Sequence, residues 1–234
     1  MHAAPIHRLV LLPGLGADSR LFDLLRPSIP DLHVPPWLEP RDAEPLPAYA
    51  ARLAEAVRGP AGDFVLGGAS FGGMLALEMA PLLRPRAVAL IGSAYSGREV
   101  RPWLRLLERV GHPLPTSMID AGRAITPLLA PLFSSAANVD MGLFLDMLRQ
   151  TPTEFLRWAG RAIMRWRWEQ EPACPVYRIH GTADLVITPP RADGVRWVKG
   201  GGHVLSMSHP RETAEFLREA LGARPARRSE AAGA

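Results

Sequence analysis

The chain has 234 residues, 47% of them apolar, which is enough for one sizeable core and too little for two full independent domains. Its formal net charge is +4 and its pI is near 9.9, but Lys199 is the only lysine and the chain is also rich in Ala, Gly and Pro. That pattern points to the codon bias of a GC-rich genome, so no nucleic-acid partner is expected. The stretch 1–7 lacks the apolar segment of an export signal, and no window approaches the about 18 apolar residues of a membrane span. A soluble, cytoplasmic protein is expected, and the single cysteine, Cys174, excludes an internal disulfide.

In chain order, short apolar runs at Arg8–Leu12, Leu32–Val34, Phe64–Leu66, Ala87–Ile91, Val176–Ile179 and Val195–Val198 read as strands. They are too continuous to be half-solvated, which predicts a parallel sheet covered by helices on both faces. Helical patterns are readable at Ala48–Val57, Gly72–Leu83 and Arg211–Leu221. After Ile91 the alternation stops, and Gly97–Glu169 reads as helical with frequent prolines. A crossover needs only about a dozen residues, so this stretch is an insertion. The expected organisation is an α/β core at 1–97 and 170–222, a helical insertion at 98–169, and a disordered tail at 223–234, where Arg224, Arg227 and Arg228 alternate with Pro225 and small residues.

The strongest local signal is Gly68-Ala69-Ser70-Phe71-Gly72, set between a strand and a helix. A serine on such a turn takes a strained backbone, and glycines two residues away relieve the collisions that side chains there would make. A serine hydroxyl is a weak nucleophile, so it needs a base oriented by a third group. Both lie downstream: Asp184 in His180-Gly181-Thr182-Ala183-Asp184, and His203 in Gly200-Gly201-Gly202-His203. Each follows a strand end, and such loops converge at one edge of a parallel sheet. His180 is read as a turn-stabilising residue. The oxyanion of a tetrahedral intermediate needs donors, assigned to the N–H groups of Phe71 and of Leu15 in Pro13-Gly14-Leu15-Gly16.

These four motifs, in this order and spanning residues 8–221, resemble the α/β-hydrolase family, including its carboxylesterases and the methyl ester esterases that act on a carrier-bound pimeloyl chain. The resemblance implies about six strands in the order 2-1-3-4-5-6, an insertion acting as a lid, and the roles of nucleophile, acid and base for Ser70, Asp184 and His203. Pro13 stands where many members carry a histidine. Ser70 excludes the members that use an elbow aspartate, the dehalogenases and epoxide hydrolases. Cofactor-free lyases, haloperoxidase-like members, carbon–carbon hydrolases and hydrolase-derived receptors stay open. No zinc or nucleotide motif is present, so no cofactor is expected.

In the insertion, Trp103, Leu106, Leu107 and Val110 recur at helical spacing, as do Phe155, Ala159, Ala162, Ile163 and Trp166. Their apolar faces are expected to close over the site, with Met118, Leu128, Leu132, Phe133, Leu143, Phe144 and Met147 as further pocket candidates. Arg101, Arg105 and Arg109, and likewise Arg157, Arg161 and Arg165, form stripes read as solvated faces, or alternatively as a dock for an acidic acyl carrier protein. The expected function is cleavage of a small-molecule carboxylic ester. The alternatives are a thioesterase or methyl esterase on a carrier-bound acyl chain, and a non-catalytic binding protein.

Overall fold

A computed structural model describes residues 9–57, 64–111, 139–170, 172–190 and 193–222, without the side chains of residues 107, 110 and 111. The candidates Met118, Leu128, Leu132 and Phe133 and the tail 223–234 lie outside the described residues. Among the described residues, no helix is long and apolar enough to cross a membrane.

Six strands form one sheet: β1 (Leu9–Leu12), β2 (Leu32–His33), β3 (Val65–Ala69), β4 (Ala87–Ile91), β5 (Val176–Gly181) and β6 (Val195–Val198). Their order is β2-β1-β3-β4-β5-β6 and every pairing is parallel. The central strands are buried on both faces, which is why they read as unbroken apolar runs. Side chains alternate between faces, so Val10, Leu12, Leu66, Val88 and Leu90 enter one core cluster, while Leu9, Leu11, Val65, Ala89 and Ile91 enter the other.

On the first face lie α1 (Leu46–Val57) and α2 (Phe71–Leu83). Buried Tyr49 of α1 accepts from Leu38 N–H and donates to Leu38 C=O, each at 3.0 Å, which anchors the chain after β2. The second face is covered by a 3₁₀ segment at Ser19–Leu25 and by α7 (Pro210–Gly222), through Leu21, Phe22, Phe216 and Leu217. The sequence reading did not foresee the 3₁₀ segment, which Asp18 caps by accepting from Arg20 N–H at 2.9 Å.

Between β4 and β5 the chain inserts α3 (Pro102–Gly111), α4 (Met141–Gln150) and α5 (Thr153–Arg165). Helix α5 buries Phe155, Trp158, Ala159, Ala162 and Ile163 in the first cluster. The Trp158 indole donates to Glu44 C=O at 2.7 Å, and the Trp166 indole, just past the helix, donates to Glu78 Oε1 of α2 at 2.6 Å. The short α6 (Leu205–Ser208) precedes α7.

The β3–α2 turn is the tightest point of the frame. Ser70 has φ 50° and ψ −116°, outside the ordinary regions for an L-residue, a conformation that costs on the order of 1–3 kcal/mol. The turn brings α2 so close to β1 that a Cβ on Gly72 would overlap the Leu12 and Pro13 carbonyl oxygens, and one on Gly68 would overlap the Gly72 backbone. These neighbours are backbone and cannot swing aside. Gly72→Ala should therefore lower stability by about 1–3 kcal/mol, the usual range for overpacking, and urea denaturation should show it as a lower midpoint.

Candidate active site

Four loops leave the C-terminal ends of the strands and meet at one edge. Ser70 follows β3; its N–H extends the ladder to Ile91 C=O at 2.9 Å, and its own carbonyl accepts from Ser93 Oγ at 2.7 Å. The strained turn is thus held from two sides. Asp184 follows β5 and His203 follows β6. Those two loops are stitched by Thr182 N–H to Val198 C=O at 3.0 Å, Ala183 N–H to Gly201 C=O at 2.9 Å, and Gly200 N–H to Thr182 Oγ1 at 2.9 Å. They run so close that a Cβ on Gly181 would overlap the Gly201 carbonyl.

His203 Nδ1 lies 2.9 Å from Asp184 Oδ2. An ionised carboxylate only accepts, so the ring proton sits on Nδ1 and the Nε2 lone pair is left to act as base. Asp184 is 1% exposed, and its Oδ1 accepts from Val186 N–H at 2.8 Å and Ile187 N–H at 2.9 Å. Burial by itself would raise its pKa. The attraction of His203, its hydrogen bond and the close approach of His180 outweigh burial and hold the carboxyl well below the usual range.

The structure gives His180 more than the turn role read from sequence. At the end of β5, with its side chain 2% exposed, it brings Nε2 to 3.2 Å from Asp184 Oδ2, the oxygen that also receives His203. A histidine near the end of a buried strand, four residues before the acid, was the available signal.

Ser70 and His203 line one cavity of about 470 Å³. Leu15, in the loop after β1, lines it too, and this loop is steadied by the Trp37 indole donating to Ala17 C=O at 2.9 Å. Phe71 is the first residue of α2, where amides have no partner within the helix. Among the described residues, neither Leu15 N–H nor Phe71 N–H has a backbone or side-chain acceptor.

The substrate-pocket expectations divide. Phe144 lines the cavity, as do Leu104, Leu156, Ile163 and Met164 of the inserted helices. Met147 does not: it is 1% exposed and packs in the second core cluster, beneath α4, and Leu143 packs against that same cluster. Trp103 is also displaced from the cavity, its indole donating to Leu185 C=O at 3.1 Å. Leu106 is 61% exposed, and among the described side chains of α3 it is Leu104 and Glu108 that line the cavity; the side chains of Leu107 and Val110, the rest of the expected stripe, lie outside the description. In the first arginine stripe, Arg101 is no solvated residue, because its guanidinium donates to Asp184 C=O at 3.0 Å.

The sequence matches the profile of the alpha/beta hydrolase family over residues 9–216. Solved structures of similar fold include a hydrolase from Oleispira antarctica, with 14% identity, a TM-score of 0.75, and coverage of 94% of this chain and 93% of that one. A thermophilic esterase from Thermogutta terrifontis has 18% identity, a TM-score of 0.69, and coverage of 92% and 89%. The thioesterase RedJ of the prodiginine biosynthetic pathway in Streptomyces coelicolor has 21% identity, a TM-score of 0.60, and coverage of 92% and 90%. At such identities the likeness is one of fold. A search of curated proteins found no significant match. The profile match runs unbroken from β1 into α7 and takes in the elbow and all six strands, and on that ground the chain belongs to the alpha/beta hydrolase family.

Proposed function

We propose that this protein is a serine hydrolase that cleaves a carboxylic ester through an acyl-enzyme on Ser70. The observation that carries the reading is the His203 Nδ1–Asp184 Oδ2 contact of 2.9 Å behind a serine held at φ 50° in the wall of an apolar cavity. Ser70 Oγ attacks the ester carbonyl while His203 Nε2 takes its proton. Asp184 keeps the imidazole in the required tautomer and stabilises the imidazolium. The N–H groups of Leu15 and Phe71 receive the developing oxyanion. Collapse of the tetrahedral intermediate expels the alcohol, protonated by His203. A water, activated by the same nitrogen, then splits the acyl-enzyme and returns Ser70.

The helices inserted between β4 and β5 act in this reading as a lid, which is supported by Leu104, Phe144 and Ile163 lining the same cavity as Ser70. The esterase named among the structures of similar fold agrees with an oxygen ester as substrate. The same chemistry serves a thioester, and RedJ keeps that second reading open. A panel of p-nitrophenyl esters and acyl thioesters, free and carrier-bound, separates the two, and no turnover of any of them would leave a binding protein.

A fluorophosphonate probe should label Ser70 alone, as read by mass spectrometry of the modified peptide. Ser70→Ala should lower kcat by on the order of 10⁴ to 10⁶, and a variant keeping a tenth of wild-type activity would overturn the assignment.

Asp184→Asn should lower kcat by up to about 10⁴, because the amide can no longer hold the Nδ1–H tautomer. The same variant tests the ionisation of Asp184. Its carboxyl is held below the unfolded value of about 3.9, so the stabilisation it contributes is complete above about pH 5 and is lost as the pH falls through and beyond that value. The difference in urea midpoint between wild type and variant should accordingly be widest near neutrality and narrow between about pH 5 and pH 2.5.

A further inference from the structure

Helix α5 turns Leu156, Gly160, Ile163 and Met164 toward the cavity. Gly160 sits inside the helix, where glycine is less favourable than alanine. Nothing among the described residues requires it. Its φ is not positive, and among the described residues a Cβ there would meet only Glu108 Cγ, at 3.7 Å, an ordinary contact. Gly68 and Gly72, by contrast, have backbone where a Cβ would go. What Gly160 supplies is room: one side chain is missing from the cavity wall at the α3–α5 face.

Across that gap stands Glu108 of α3. Apart from His203 it is the only ionisable side chain among the described residues lining the cavity, and it forms no ion pair or hydrogen bond with any described residue. No described arginine lies within ion-pair distance of it. Arg101 is engaged with Asp184 C=O, and Arg105 and Arg109 do not line the cavity. A carboxylate in apolar surroundings attracts a cationic or donor group and repels another anion more strongly than it would in water.

We propose that Gly160 and Glu108 together determine substrate specificity: the gap at Gly160 admits an extended substituent of the ester, and the Glu108 carboxylate selects one that ends in an ammonium group over one that ends in a carboxylate. This inference rests on the ester-hydrolase reading and names its substrate class.

The test uses the full-length protein and four p-nitrophenyl esters: acetate, hexanoate, 6-aminohexanoate and the monoester of adipate. Wild type should cleave all four and prefer 6-aminohexanoate to adipate by about tenfold in kcat/KM. Gly160→Leu should lower kcat/KM for the three long esters by about tenfold or more while leaving acetate within about twofold. Gly160→Ala should raise the urea midpoint, as helix propensity dictates, while lowering turnover of the long esters relative to acetate; a purely structural glycine would not separate these two readouts. Glu108→Gln should abolish the preference for ammonium over carboxylate and leave acetate and hexanoate unchanged. Turnover of acetate with long-to-short and ammonium-to-carboxylate ratios unaltered in the variants overturns this inference alone. A wild type inert toward all four esters overturns the hydrolase reading and this inference with it.

Discussion

A carboxylate that is 1% exposed cannot stay ionised without a full set of donors, and the need to satisfy Asp184 organises the whole edge of the sheet. Two amides, of Val186 and Ile187, must turn back toward Oδ1, which bends the chain after β5 into a tight loop. That loop then pairs with the approach to α3: Arg101 N–H reaches Val186 C=O at 2.9 Å, Thr188 N–H reaches Glu99 C=O at 2.7 Å, and Val100 bridges Ile187. The other oxygen collects the His203 ring and the close approach of His180. One buried charge therefore fixes the acid loop, the histidine loop and the start of the insertion against one another.

The insertion is tied to the nucleophile by a second device, made of rings. Phe71 follows Ser70 directly and is fully buried, with its ring 6.0 Å from Trp158 and 5.7 Å from Trp37, centroid to centroid. Trp158 in turn lies 4.4 Å from Tyr49, and Phe155 lies 5.4 Å from Trp37. Aromatic pairs at these separations add to the stability of plain area burial. The residue whose amide is assigned to the oxyanion is thereby packed against α5, the helix that forms much of the cavity wall. Phe71 and α5 therefore share one set of buried ring contacts beside the cavity.

The sheet was legible in the sequence because its central strands are buried on both faces, so each announced itself as an apolar run bounded by polar turns. That Ser70, Asp184 and His203 lie in loops meeting at one edge was legible because those loops carry glycine at fixed offsets. The 3₁₀ segment was not, since Ser19–Leu25 carries neither strand alternation nor a long helical period. The cavity wall was legible only in part. A helical period says that one face is apolar, not which neighbour that face meets. Trp103 and Met147 fit the pattern as well as Phe144 does, yet the first spends its indole on Leu185 C=O and the second fills the core. Arg101 fitted a solvated stripe by spacing, and only the fold brings the Asp184 carbonyl within its reach.

Glycine carries two different kinds of information in this chain. Where a Cβ would strike backbone, as at Gly68, Gly72 and Gly181, the glycine is the condition for a close approach, and each of these approaches lies beside Ser70, Asp184 or His203. Gly160 obeys no such constraint, and the helix that holds it would be more stable with alanine. In the reading proposed for it, a residue that weakens its own helix, meets no obstacle among the described residues and borders the cavity serves by the volume it leaves empty. Gly68, Gly72 and Gly181 thus mark where backbone closes around Ser70, Asp184 and His203, whereas Gly160, inside a helix and against the cavity, marks a place where the wall lacks a side chain.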